Sequence, residues 1–198
     1  MNSLKSLADY ELVEMYSKGN DKAFDELLTR YQSKLYSYIF FIVRNVTLAE
    51  DLFQETFMKV ITTIRQGSYA ESGRFGAWLT RIAHNLIIDY FRQDKGDNVV
   101  SNDETEVDLF NDADLSDDDV ETKLVNAQVL SDVRRLVGAL PRPQREVVYM
   151  RFYQDLSFRE IADITGVSIN TSLGRMRYAL INMRRMARQN EMHLSLEL

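Results

Sequence analysis

Apolar residues recur at helical spacing along most of the chain. Phe24, Leu27, Leu28, Tyr31, Leu35, Ile39 and Ile42 fall on one stripe, and Leu52, Phe53, Phe57, Val60, Ile61 and Ile64 on another, so the pattern predicts two long helices. Thr47-x-x-Glu50 is a capping-box spacing, in which hydroxyl and carboxylate satisfy backbone N–H groups that a helix start leaves open; it places the start of the second helix. A polar loop from Gln66 to Gly73 leads to a third helix, Phe75 to Gln93. Trp78, Ile82, Leu86 and Tyr90 are expected on one face of it and Arg81, Asn85, Asp89 and Arg92 elsewhere. A short N-terminal helix ending near Gly19 is expected to pack on these three. After a long polar interval, Val125, Val129, Val133 and Val137 form an i, i+4 stripe that stops at the break Leu140-Pro141-Arg142-Pro143. Three shorter helices are predicted beyond it, about Gln144 to Tyr153, Ser157 to Ile164 and Ser168 to Met186.

Composition supports this helical reading, since the 198 residues include only 8 Gly and 2 Pro. Charge then divides the chain. Residues 1–93 carry 11 cationic against 11 anionic side chains, residues 94–123 carry 2 against 12, and residues 124–198 carry 11 against 7. Most of the net charge of −6 therefore arises from one acidic stretch. The segment from Gly96 to Thr122 is dense in like charge and poor in aromatics, and so buries too little surface to offset the entropy of ordering it. The expected fold is all-α: two small helical domains, residues 1–93 and 122–190, joined by an acidic flexible linker at 94–121.

The segment Leu140 to Arg188 reads as a helix-turn-helix. Ser157-Phe-Arg-Glu160 is a second capping box. Downstream, Ala162 permits close helix crossing, Gly166 suits a tight turn of positive φ, Val167 plugs the gap between helices and Ser168 caps the next helix. That helix carries Arg175, Arg177, Arg184, Arg185 and Arg188 with no carboxylate between Ser168 and Arg188, the basic footprint that phosphate binding requires. The bland alternative is a helical hairpin with a solvated basic face.

Taken together, the motifs resemble the extracytoplasmic-function sigma factors, the small bacterial sigma-70 subunits that carry RNA polymerase to promoters. Ala23-Phe-Asp-Glu-Leu-Leu-Thr-Arg-Tyr31, Ala49-Glu-Asp-Leu-Phe-Gln-Glu-Thr-Phe57 and Phe75-Gly-Ala-Trp-Leu-Thr-Arg-Ile-Ala-His-Asn85, with Asp89 and Arg92, resemble sigma region 2. Leu140-Pro141, Arg145-Glu-Val147, Glu160-Ile-Ala162 and Gly166-Val-Ser168 resemble region 4.

The resemblance implies that Asp51, Gln54 and Glu55 dock on the clamp helices of the largest subunit of core RNA polymerase. By periodicity alone they are the polar face of an amphipathic helix. It also implies that residues 65–78 include the loop capturing a base flipped from the nontemplate strand at the minus-ten element. Arg74, Arg81, Asn85 and Arg92 are the accompanying contacts, and Trp78 is read as core rather than as a stacking platform. Flipping costs a few kcal/mol, which a snug pocket and cationic contacts must recover. For the upstream element of promoter DNA the implied contacts are Arg151, on phosphate, and Asn170, Thr171, Leu173, Gly174, Arg175, Arg177 and Tyr178. Where the family carries an apolar residue, a basic residue and Ser before Arg, this chain has Ser172-Leu173-Gly174-Arg175. Apolar spacing alone turns Ile169, Leu173, Met176, Leu180 and Met183 inward. The family register turns Ser172, Met176, Ala179 and Met183 inward, exposes Asn170, Gly174, Arg177 and Tyr178 to the major groove and leaves Leu173 to meet a thymine methyl. The linker, in this family, threads the polymerase channel, where its carboxylates could imitate an RNA backbone; the simpler reading is a solvated spacer.

Other classes are disfavoured. The chain has no Cys and only His84 and His193, so no thiol chemistry, metal site or cofactor is expected, and no enzyme activity. His84 is expected at the surface or in a groove, and His193 in a frayed tail. The longest strongly apolar run, Tyr38 to Val43, is far below the roughly 20 residues of a membrane span, and no signal-peptide core opens the chain. A cytoplasmic protein without membrane insertion is expected, with an anti-sigma factor as a further partner. The rival reading is a stand-alone helix-turn-helix regulator that needs no polymerase.

Overall fold

A computed structural model describes residues 4–70, 73–94 and 120–190. Among them every regular element is helical. After a 3-10 turn at Leu4–Ser6 come α1 (Asp9–Ser17), α2 (Asp21–Val43), α3 (Val46–Arg65), α4 (Phe75–Asp94), α5 (Val120–Gly138), α6 (Arg142–Phe152), α7 (Phe158–Thr165) and α8 (Ile169–Gln189). The chain divides into two units, one holding α1–α4 and the other α5, α6, α8 and most of α7. The acidic stretch between α4 and α5, and the tail with His193, lie outside the described residues.

In the first unit α1 packs on α2 and α3, and α2, α3 and α4 pack on one another. Leu12, Leu27, Leu35, Ile39, Val60, Ile64, Leu79 and Ile87 are almost wholly withdrawn from water. Each such side chain contributes about 1.5–3 kcal/mol of transfer free energy relative to exposure. Ala23, Ala49 and Ala83, all fully buried, sit where a larger residue would hold the helices apart.

Three local expectations are corrected. The N-cap of α3 is Asn45, whose side chain accepts from the Leu48 N–H at 2.9 Å, so Thr47 lies inside the first turn and Glu50 beyond any box. The buried arc of α4 is Phe75, Leu79, Ala83, Leu86 and Ile87, whereas Trp78 and Ile82 are half-buried and Tyr90 is exposed. A strict four-residue stripe advances about 40° around the helix at each step, so its far end leaves the core. His84 is buried, with its Nδ1 3.2 Å from the Tyr38 hydroxyl, because it shares the inward arc with Ala83 and Ile87.

In the second unit α6 packs on α8, and α5 on both. Val129 and Val137 of the α5 stripe are buried and Val133 is partly so; the side chain of Val125 lies outside the described residues. Pro141 is the N-cap of α6 and Pro143 sits in its first turn, where the missing N–H costs nothing.

Candidate nucleic-acid interface

The helix-turn-helix is built as its motif requires. The Ser157 N–H donates to Glu160 Oε2 at 2.8 Å, and the Glu160 N–H donates back to Ser157 Oγ at 3.3 Å, the reciprocal closure that starts α7. At the other end Gly166 has φ +65°, and the Val167 N–H reaches the Ala162 carbonyl at 3.1 Å. This is the glycine-dependent stop that frees the chain to turn into α8. Ser168 caps α8 by accepting from the Thr171 N–H at 3.0 Å.

The register of α8 decides what this motif can present. Ser172, Met176 and Ala179 are buried, whereas Ile169 and Leu173 are each 44% exposed. Apolar spacing alone turns Ile169 and Leu173 the wrong way; Ser172, Met176 and Ala179 follow the register implied by the family resemblance, whereas Met183 is only half-buried. Asn170, Thr171, Leu173, Arg177 and Tyr178 therefore stand exposed, with Tyr178 at 61%. Gly174 and Arg175 are half-buried instead. With Pro141, Pro143, Gln144, Thr171 and Tyr178 they line a groove of about 340 Å³ between the start of α6 and α8. Arg175 is thus separated from the open face that carries Arg177. Arg151, exposed at the end of α6, donates to the Leu156 carbonyl at 3.2 Å and lies 5.6 Å from the Phe158 ring centroid. The turn before α7 therefore holds its guanidinium in place.

In the first unit, Arg81, Asn85 and Arg92 recur at four- and seven-residue intervals along α4 and are exposed, as is Arg74 just ahead of the helix. Arg92 pairs with Asp89 at 3.4 Å, an exposed contact that holds it weakly. Between α3 and α4, Tyr69, Phe75 and Trp78 form an aromatic group, with centroids 4.5 Å apart for Tyr69 and Trp78 and 5.6 Å for Phe75 and Trp78. Trp78 is packed edge-on, not standing free. On α3, Asp51, Gln54 and Glu55 share one exposed face, and Met58, 63% exposed, continues it. Met58 escaped the sequence reading because a lone methionine beside the core stripe looks like its edge; its i+3 and i+4 spacing from Glu55 and Gln54 was the available clue.

Comparison with known proteins gives this geometry its context. Residues 27–96 match the family Sigma-70 region 2, and residues 130–173 match Sigma-70, region 4. The sigma factor CarQ of Myxococcus xanthus is 31% identical over 79% of this chain and 84% of its own length. The chain belongs to the extracytoplasmic-function sigma factors of the sigma-70 family.

Sigma factors direct RNA polymerase to promoters, and that is the function class of this chain. Another similar sigma factor is BldN of Streptomyces coelicolor, 39% identical over 79% of the chain, which spans 57% of the length of BldN. SigM of Bacillus subtilis is 30% identical over 73% of the chain and 82% of SigM. The fold is also that of CnrH, solved with the cytosolic domain of CnrY (TM-score 0.63, 21% identity, 92% of this chain and 99% of that one). It is likewise that of RpoE from Bartonella quintana, solved with the anti-sigma factor NepR (TM-score 0.63, 21% identity, 84% and 98%). No described helix of this sigma factor is long and apolar enough to cross a membrane, and its described residues hold no cluster of metal-ligating side chains.

Proposed function

We propose that this sigma factor reads its promoters with two separate surfaces while bound to core RNA polymerase in the cytoplasm. Residues 1–93 act as region 2 and residues 122–190 as region 4, with 94–121 as the connection. The exposed first turns of α8 enter the major groove of the upstream element through Asn170, Thr171, Leu173, Arg177 and Tyr178. Gly174 and Arg175 line the groove beside them, and Arg151 holds a phosphate. Arg74, Arg81, Asn85 and Arg92 follow the melted minus-ten strand, and Asp51, Gln54 and Glu55, with Met58, meet the clamp helices of the largest polymerase subunit.

The observation that carries this reading is the register of α8, with Ser172 buried and Leu173 and Tyr178 open to solvent. A recognition helix must present its N-terminal turns to base edges, and the solvent-open first turns of α8 support that role. An anti-sigma factor is a further partner in this proposal, supported by the complex in which the Bartonella RpoE was solved. Run-off transcription with purified core polymerase on genomic fragments tests the whole. Specific start sites that appear only when both proteins are present support it; sequence-specific DNA binding by the chain alone, with no core-dependent initiation, would assign it to stand-alone regulators.

A further inference from the structure

Tyr31 lies on α2, remote in sequence from the α3–α4 connection, yet it touches both the N-terminal segment and the end of that connection. Its hydroxyl donates to Asp9 Oδ2 at the start of α1. The other Asp9 oxygen accepts from Arg30 Nη1 at 2.8 Å, and Arg30 Nη2 donates to the carbonyls of Leu4 and Lys5 at 3.2 and 3.1 Å. Glu26 takes the remaining Arg30 Nε–H at 3.0 Å. One carboxylate and one guanidinium thus tie the first described residues of the chain to α2.

The same Tyr31 ring packs against α4. Its centroid is 5.2 Å from that of Phe75, and Phe75 stands 6.2 Å from Tyr69 and 5.6 Å from Trp78. Gly76 makes this approach possible, because a Cβ there would fall 2.9 Å from Tyr31 Cε1, closer than real Cβ contacts come. The ring has little room to yield, since the hydroxyl at that same end is hydrogen-bonded to Asp9. Burial, and then the Asp9 carboxylate, push the Tyr31 hydroxyl above its ordinary value, so it stays a donor.

We propose that Tyr31 is a positioning residue for base capture, holding Tyr69, Phe75 and Trp78 at the two ends of the α3–α4 connection and linking their placement to the N-terminal segment through Asp9. This rests on the reading that the connection receives the flipped minus-ten base. Tyr31 touches no nucleic acid in this scheme; it acts through Phe75 and Gly76. The neighbouring aromatic group then has one arrangement, and a recognition pocket discriminates between bases only when its walls are held within a fraction of an ångström.

The test uses the full chain bound to core polymerase. The probe is the nontemplate strand of a promoter found by run-off transcription, as an oligonucleotide with single-base changes across the minus-ten element. Tyr31→Phe keeps the ring and removes the hydroxyl, Asp9→Ala removes its acceptor, Asp9→Asn retains an acceptor, and Gly76→Ala pushes the ring aside. Tyr31→Phe, Asp9→Ala and Gly76→Ala are expected to weaken the best strand by about 3- to 10-fold, as loosened pocket walls lose part of their contact with the base. They should also shrink the preference for its favoured base, while Asp9→Asn restores most of it and affinity for core is unchanged.

Variants that keep the wild-type preference ratio, whatever their melting temperature, overturn the positioning role alone. A wild-type holoenzyme with no base preference in the strand overturns the base-capture reading along with it. Affinity for core and for upstream-element duplex reports folding independently, so general unfolding is told apart from a loosened pocket.

Discussion

On α8, Ser172 is fully buried and its hydroxyl meets no hydrogen-bond partner among the described residues, while its neighbour Leu173 keeps 44% of its surface exposed. The polar member of the pair is inside and the apolar one outside. A buried hydroxyl that has surrendered water without replacement is a net cost, so Ser172→Ala is expected to raise unfolding stability by about 1 kcal/mol, helped by the better helix propensity of alanine. Denaturant titration of the full chain, following the transition of the second unit, reads this directly. A lowered midpoint would mean that the hydroxyl is doing something its surroundings do not show.

By the resemblance to the family Leu173 stands where a basic residue is expected, and its exposure means that a longer side chain meets no steric obstacle. Leu173→Lys is expected to strengthen binding to upstream-element duplex for all sequences alike. It should also steepen the salt dependence of log K by about one unit, as one added phosphate contact does. Binding isotherms at several salt concentrations, on the preferred site and on a scrambled one, measure both effects. Weaker binding to the preferred site alone would instead place Leu173 against a base, as a thymine-methyl contact requires.

These two residues also show what sequence can and cannot reveal here. The helix-turn-helix was legible because its determinants are local: Ser157 with Glu160, Gly166 and Ser168 each act within four residues of themselves. The register of α8 was not legible from apolar spacing, because Ile169, Leu173 and Leu180 lie outside while Ser172 and Ala179 lie inside. Burial there is decided by α5 and α6, and only the family motif carried that information. Likewise His84 looked like a surface residue because its partner, Tyr38, is 46 positions away. The contact of Tyr31 with Asp9 and Gly76 is equally nonlocal, and no periodicity announces it. The end of α2 falls at Arg44, which takes a left-handed φ of 54° without being glycine, so no punctuating residue marked it.

Arg177 is exposed on the face of α8 proposed to enter the major groove. Replacing it separates base reading from phosphate attraction. Arg177→Ala is expected to cost about 1–3 kcal/mol on the preferred upstream element, with relaxed discrimination at one base position. A panel of single-base variants of the element provides the measurement. Equal losses across the panel would move Arg177 to the phosphate-contacting set beside Arg151.

The face of α3 formed by Asp51, Gln54, Glu55 and Met58 has no share in the core, so altering it should leave the fold intact. Glu55 is paired with Lys59 at 3.4 Å, but both side chains are about half exposed and the pair contributes little. Glu55→Lys and Met58→Ala are expected to change stability by less than about 0.5 kcal/mol. The same variants should weaken association with core polymerase, read by competition against the wild-type chain for a limiting amount of core. Undiminished competition by both would shift the docking surface elsewhere on region 2.

The start of α3 offers a test that opposes two residues of the same capping class. Asn45 accepts from the Leu48 N–H and its backbone is extended at φ −141° and ψ 122°, as an N-cap requires, whereas Thr47 is already helical and exposed. Asn45→Ala is therefore expected to cost about 1 kcal/mol, and Thr47→Ala only a few tenths, despite the Thr47-x-x-Glu50 spacing. Because α3 carries the proposed docking face, a frayed start also exposes Asp51 to disorder one turn away. Asn45→Ala should then reduce core binding more than Thr47→Ala does, in the same order as the stability losses. A lower unfolding midpoint for Thr47→Ala than for Asn45→Ala would return the cap to Thr47.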